Sequence, residues 1–487
     1  MRRRDWAFLA AVSLVVAFCG VFGTSYVLGE GYPYFKLWAE VVLTLLATVV
    51  VAIALLFLES LFCRVPRTAS GSRVRRICNL LTPRWTVGSI ALFSAVMALL
   101  WTPWFVANFP GGTYWDTYYQ MYQVYPENHP IAVIPWAEIY DQTLTDAWLV
   151  DHHPVFTTWV YGAFGWLSDR LTGDWMAGVA AFCILQGVLH VVAFAAAVAY
   201  LRRVGCPPVL NLLAFAYFAL APFVSTWALC MVKDSFFGLF YVPYFMLVFE
   251  TVRTRGACMA RPRNVAAFVL CALGLCLTKK TGIFVVAATA VVGIVAYRRT
   301  KAAWEAFLMQ GLLPAVVVMV LFPLLVFPAL NIQAGGAQET LGPLFQQTAR
   351  CIRDYPKDVS PEEKAAISAV LDYDRLAEQY QFDFEDSVKY RYNLNATRAD
   401  LVRYLQAYAA MGLRHPDSYF GALMSLAGFY VAPTAPINIR MVTVDTKMGD
   451  EQRYMLWNPD ELNGLRNGLD EAYDAVAKMP VADLPLL

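Results

Sequence analysis

Only a few residues of this chain combine charge with a setting that could put it to chemical use. Lys233 lies in Met231-Val232-Lys233-Asp234, and Lys279 and Lys280 lie in Thr278-Lys279-Lys280-Thr281, each at the tip of a short turn between apolar runs. Ionisable groups at membrane depth are costly and by default mark functional sites. A lysine near the end of a span can also snorkel to lipid phosphates along its apolar stem. Asp116 follows Gly111-Gly112 by a few residues, in Tyr114-Trp115-Asp116, with Tyr118 and Tyr119 close by. Aromatic faces around one carboxylate suit a sugar, whose C–H faces stack on rings. They equally suit an interfacial aromatic belt, although a belt alone needs no acid. A carboxylate near a membrane surface has its charged form disfavoured by desolvation, which favours proton abstraction once a substrate poises it.

Three of the five histidines, His129, His152 and His153, fall in the same loop. The run Asp151-His152-His153-Pro154 has the residue types of a metal site, but adjacent histidines rarely reach one ion. Hydrogen bonding to phosphate or sugar hydroxyls is the better use for them. His190 lies within an apolar run and reads as a packed core residue. Further along, Gln346-Gln347 with Arg350 form either the solvated side of a helix or a donor set closing over a membrane cavity. His415-Pro416 repeats the His-Pro pairing of the first loop.

The elements that must position these groups follow from composition. Of 487 residues, 59% are apolar and 15% charged, with a mean hydropathy of +0.48. Soluble chains are nearer 25% charged. Disorder, a fibrous protein, a small disulfide scaffold and an ordinary soluble enzyme are excluded, and a polytopic membrane protein remains. Nine apolar runs are candidate spans: 6–28, 37–58, 85–106, 174–201, 208–224, 235–250, 264–278, 281–297 and 305–329. Residues 155–167 are apolar but too short to cross, and read as a helix at or dipping into the interface. Ten cysteines form no CxxC pair, so neither a structural disulfide nor a zinc site is expected.

Charge divides the chain. Residues 1–329 hold 23 Lys/Arg and 15 Asp/Glu, against 15 and 22 in residues 330–487. Of the 23 basic residues, 18 fall in the N-terminal segment and the connections at 64–84, 202–203, 253–263 and 298–301. Nine spans put all five groups on one side, and the positive-inside rule makes it the cytoplasm. The N-terminus is then cytoplasmic. The outer face receives the loop 107–173, the lysine turns and everything after residue 329.

Residues 330–487 lack the alternation of a sheet and read as a mostly helical extracytoplasmic domain. From Pro343, Leu344, Thr348, Cys351 and Ile352 share a helical face. Ser360-Pro361-Glu362-Glu363 is a helix start with its own capping box, for a helix running to Leu371. A second helix spans 398–411, ending near Gly412. Residues 420–430 suggest an interfacial helix and 465–477 a weaker one. No P-loop, dinucleotide fingerprint or zinc motif is present, and the balanced net charge of +1 gives no reason to expect nucleic acid.

Taken in order, Tyr114-Trp115-Asp116, Asp151-His152-His153-Pro154, Lys233-Asp234, Lys280-Thr281-Gly282, the run 343–350 and His415-Pro416-Asp417-Ser418-Tyr419 resemble a bacterial family labelled DUF6020. That family is related to the GT-C superfamily of membrane glycosyltransferases, and the likeness spans roughly 110–430. The resemblance implies an all-α, GT-C-like bundle of about nine transmembrane helices with an outer helical domain, in the bacterial plasma membrane. It implies a sugar donor carried on a polyprenyl phosphate, an inverting transfer to a cell-wall or surface glycopolymer, and Asp116 as general base. Lys233, Lys279 and Lys280 would balance the leaving phosphate. His152, His153, Asp151 and Asp234 would complete the donor side. Tyr114, Trp115, Gln346, Gln347, Arg350 and His415 would lie on the acceptor side.

No cofactor is implied. Most of the superfamily needs no metal, although some oligosaccharyl members use a divalent ion. Membrane lipids are the other expected partner. Relatives continue into further spans where this sequence reads Ala482-Asp483-Leu484-Pro485-Leu486-Leu487, so a short or truncated member is expected. A transporter, a non-catalytic envelope assembly protein and an envelope acyl- or phosphotransferase are the rival readings. A transporter would show broken helices or mid-membrane polar groups in repeated halves, and no repeat is evident.

Overall fold

The computed structural model of the chain describes residues 3–64, 73–113, 115–124, 149–335, 338–393, 395–432 and 460–477. Apolar runs become helices because, without water, a backbone satisfies its polar groups most simply within one segment. In order these are α1 (Arg3–Leu28), α2 (Leu37–Arg64), α3 (Arg73–Leu80), α4 (Val87–Ala107), α5 (Trp115–Gln123), α6 (Val155–Thr172), α7 (Trp175–Arg203), α8 (Pro208–Leu220), α9 (Pro222–Ala228), α10 (Lys233–Arg253), α11 (Pro262–Thr278), α12 (Gly282–Ala296) and α13 (Lys301–Val316). A π-helix, Val317–Val326, extends α13 into the single turn α14 (Phe327–Ala329).

Among the described residues, six helical segments are long and apolar enough to cross a membrane: Trp6–Leu28, Leu37–Phe57, Val87–Ala107, Trp175–Arg203, Lys233–Arg253 and Lys301–Ala329. The chain is therefore a helical membrane protein. The run expected at 208–224 is broken: α8 and α9 meet at 57°, and together could supply a seventh span. Pro222 causes the break, since the residue before a proline is driven out of the helical region and Ala221 is extended. The runs at 264–278 and 281–297 fold as α11 and α12, of 17 and 15 residues. At about 1.5 Å per residue each is shorter than a core of about 30 Å. Even so, α11 starts beside Arg253 and delivers Lys279 to Asp234 at the Lys233 end, so it runs the same length of the bundle as α10. The interfacial segment is longer than expected: α6 has 18 residues and stops at Gly173, whose positive φ of 73° closes the last turn.

Beyond the membrane region lie α15 (Gln338–Asp354), α16 (Pro361–Ser368), α17 (Tyr373–Gln379), α18 (Asp386–Lys389), α19 (Arg398–Arg414), α20 (Pro416–Val431) and α21 (Asn463–Ala477). Phe345, Ile352, Ile367, Leu371, Tyr404 and Met411 form a dry core of their own. The expected capping box exists, with Ser360 and Glu363 each bonding the other's backbone N–H. However, α16 ends at Ser368 because Leu371 leaves to bridge Tyr392. Gly412 does not end α19. A Cβ there would meet the Tyr419 ring at 2.8 Å, so this glycine admits the ring rather than terminating the helix. Extended pairing, unexpected in this region, joins β1 (Leu149–Asp151) in parallel to β2 (Ile332–Ala334). Three residues are too few to show alternation in sequence.

Two contacts fix this domain to the bundle. Arg350, 3% exposed, donates to the carbonyl of Gly31 at 2.6 Å and lies over the Tyr32 ring, in the loop joining α1 to α2. Phe420 packs on Phe18, Phe22 and Tyr26, while Gly428 meets Gly23 and Val27. These contacts run along α1 from Phe18 to Val27. Replacing Arg350 with Ala removes the ion pair to Asp354, which keeps Ser418 and Arg353, and leaves the Gly31 carbonyl only the longer bond from Ser425. Arg350→Ala is expected to cost about 2–4 kcal/mol, read as a lower melting temperature in detergent and faster proteolysis of residues 338–432.

Candidate functional site

Three Asp–Lys pairs gather at one end of the bundle. Lys233 opens α10 and donates to Asp116 Oδ2 at 2.5 Å. Lys279, just past α11, pairs with Asp234, and Lys280 pairs with the Asp151 carboxylate at 3.2 Å and also donates to its backbone carbonyl. Each pair joins segments far apart in sequence, so the cluster exists only through the fold.

Small residues make the approach possible. Gly112 receives a hydrogen bond from Met231 N–H at 2.7 Å and donates its own N–H to Leu229 at 3.2 Å. Gly111 has φ of 133°, and a Cβ on it would collide with Cys183. The buried Thr117 hydroxyl donates to the Met231 carbonyl. These bonds bring the start of α5, which carries Asp116, against the turn that carries Lys233. Pairing of Asp151 with Ala334 then brings Gly335 beside Lys280. The Asp151 carboxylate also accepts from Val155 N–H at 3.0 Å and so holds the start of α6.

His153 faces both members of one pair. Its Nδ1 accepts from the Lys233 ammonium at 2.9 Å, which places the ring proton on Nε2, 3.8 Å from Asp116 Oδ1. Burial holds this imidazole neutral, its pKa well below 6.5, and the Lys233 ammonium adds to the effect. Burial likewise pushes His152 down to about 3, reinforced by Lys233, Lys389 and Lys280. His152 Nδ1 lies 3.5 Å from Glu339, whose carboxylate pairs with Lys389 at 3.1 Å. Burial raises the Asp151 carboxyl, with Lys280 opposing.

A cleft of about 220 Å³ lies against this cluster. Phe156, Leu277, Val318, Phe322 and Pro323 line its apolar length, and Asp151 and Lys280 stand at its polar end. One wall is the π-helix, whose wider turn is a form often found at functional sites. A divalent ion at Asp116 or Asp151 would have to displace a lysine. Among the described residues no cluster of three or more His, Cys, Asp or Glu side chains suits a metal.

Asp116, Asp151, His152, His153, Lys233, Asp234, Lys279 and Lys280 thus come together. Trp115 opens α5, while Tyr114 and His129 lie outside the described residues. The other expected acceptor-side residues do not join the cluster. Gln346 donates to the Gln381 carbonyl, and Gln347 bonds Tyr419 and Tyr408. Arg350 binds the α1–α2 loop, and His415 stacks on Tyr355 at 3.8 Å. Their hydrogen bonds and ring contacts are made within residues 338–432 and, for Arg350, to the α1–α2 loop. Sequence reasoning missed Glu339, Lys389 and Gly335. Only Gly335 carried a signal, as half of a Gly-Gly pair at the exit from the membrane.

The sequence profile of DUF6020, a family of unknown function, matches residues 2–484. The chain belongs to this family. The match extends well beyond the 110–430 over which the motifs suggested it. Comparison of this DUF6020 chain with curated proteins and with solved structures finds no match.

Two outcomes follow. A Cβ at Gly335 would come within 2.7 Å of Lys280 Nζ and closer still to the Asp151 carbonyl. Gly335→Ala is expected to cost about 1–3 kcal/mol by overpacking, measured as a shift in thermal unfolding. His152 has a depressed pKa in the folded state, so its contribution to stability is fully present above pH 6.5 and is lost as pH falls towards about 3. Thermal unfolding followed across that window should show a shallower acid loss for His152→Asn than for the parent chain.

Proposed function

We propose that the chain transfers a sugar from a polyprenyl-phosphate donor to an extracytoplasmic cell-envelope acceptor, with inversion and with Asp116 as general base. The observation that carries this reading is the cleft: an apolar passage from the spans ends on Lys280 and Asp151, beside the His153–Lys233–Asp116 chain. An isoprenoid tail suits the apolar length, and its phosphate suits the lysines. The outward orientation rests on the positive-inside pattern.

In this reading the acceptor oxygen bonds to the anomeric carbon as the bond from that carbon to the phosphate oxygen breaks. The acceptor proton passes to Asp116, and the electron pair leaves with the polyprenyl phosphate. Lys233 now occupies Asp116 Oδ2. A donor phosphate that draws Lys233 towards itself frees that oxygen for the proton, so base and charge balance are coupled through one ammonium. Neutral His153 keeps a donor on Nε2 for a sugar or phosphate oxygen.

The test is release of polyprenyl phosphate from short-chain polyprenyl-phosphate sugars by the purified protein with envelope extract, followed by mass spectrometry. Asp116→Asn should lower release by about 10²–10⁴-fold while keeping a cooperative thermal unfolding transition. Absence of release with any donor, with and without divalent metal, overturns the proposal in favour of a scaffold role. Solute uptake into proteoliposomes would favour a transporter instead.

A further inference from the structure

The other end of the bundle holds a second charged cavity. Helix α10 begins at Lys233 in the Asp–Lys cluster and ends, 21 residues on, at Arg253. That length is about 30 Å, the thickness of a hydrocarbon core. Around its far end a cavity of about 700 Å³ lies between α7, α10, α11 and Trp85. Its charged lining is Arg203, Arg253, Arg261, Arg263 and one carboxylate, Glu250.

The single carboxylate is fully engaged. Arg253 grips both Glu250 oxygens at 2.6 Å, and the Tyr200 hydroxyl adds a third bond at 2.6 Å. Arg203 lies over the Trp85 ring, 5.5 Å from its centre. Among the described residues Arg203, Arg261 and Arg263 make no ion pair, and Arg261 and Arg263 are exposed. Four guanidinium groups therefore face one concave space that holds a single carboxylate. Arginine forks bind phosphate oxygens two at a time.

The positive-inside rule accounts for arginines at this end, but not for their convergence on a cavity. The deeper wall shows what fills it. Pro243, Met246 and Cys271 belong to α10 and α11 and form an apolar surface leading from the arginines into the bilayer. A ligand matched to both parts carries a phosphate and an acyl chain.

We propose that this cavity binds the headgroup of an anionic phospholipid, with Arg203, Arg261 and Arg263 on the phosphate and the first acyl carbons against Met246 and Cys271. The site is independent of the proposed sugar transfer, and basic pockets between cytoplasmic helix ends are known to hold anionic lipids.

The test is native mass spectrometry of the full chain in detergent, titrated with phosphatidylglycerol or phosphatidylcholine of the same chains. Phosphatidylglycerol should bind in preference, and Arg261→Gln/Arg263→Gln should weaken it about tenfold. The control is Arg298→Gln/Arg299→Gln, which removes the same charge from exposed arginines outside the cavity and should leave binding unchanged. Equal affinity for both lipids, or equal loss in the control, overturns the site in favour of general surface attraction. Displacement of the lipid by inorganic phosphate alone overturns the lipid assignment. Thermal unfolding without lipid reports folding of each variant, and Arg203→Gln carries the same test if the double variant unfolds early.

Discussion

A lysine that emerges from an apolar helix bundle must be neutralised where it emerges, because the bilayer behind it offers no solvation. Three such lysines surface together here, and three aspartates meet them. Much of the unusual backbone at this end serves that matching. The Gly111-Gly112 approach brings Asp116 to Lys233, and the short parallel pairing aligns Asp151 with Gly335 and Lys280. The burial of two neutral histidines follows from the same demand, since imidazolium groups beside three ammoniums would add charge without a counterpart. Each ammonium also holds its partner carboxylate out of general reach, so whatever anion enters must exchange for an aspartate and not merely add to the cluster.

The domain from α15 to α20 is part of this arrangement. Glu339 and Lys389 reach the cluster from α15 and α18, and β2 continues directly from the last span. The domain also holds the first hairpin through Arg350 and α20. The catalytic reading therefore concerns a shared interface between bundle and domain rather than a pocket within either. The basic cavity at the far end is built from the bundle alone.

The sequence made the charged turns and the first outer loop legible for a physical reason: ionisable residues stand out against apolar runs. Helix existence was equally plain, and the Ser360 capping box appears as expected. Less legible were limits set by packing. Gly412 looks like a helix end but accommodates Tyr419, and Pro222 divides a run that hydropathy treats as one. Polarity alone did not say what Gln346, Gln347 and Arg350 would touch. A buried polar side chain needs partners wherever it lies, and these find theirs within residues 338–432 and at the α1–α2 loop. Glu339 and Lys389 carried no local signal because their relevance comes from a contact across 50 residues.

The bond from Arg350 to Gly31 spans 319 positions of the chain. A ribosome adding about 5–20 residues per second needs roughly 15–65 s to cover that interval. Until then the Gly31 carbonyl lacks its guanidinium donor and the Gly23 face of α1 lacks α20. The α1–α2 hairpin is thus completed only by residues made much later. Its final geometry is a record of assembly finished from the opposite end of the message.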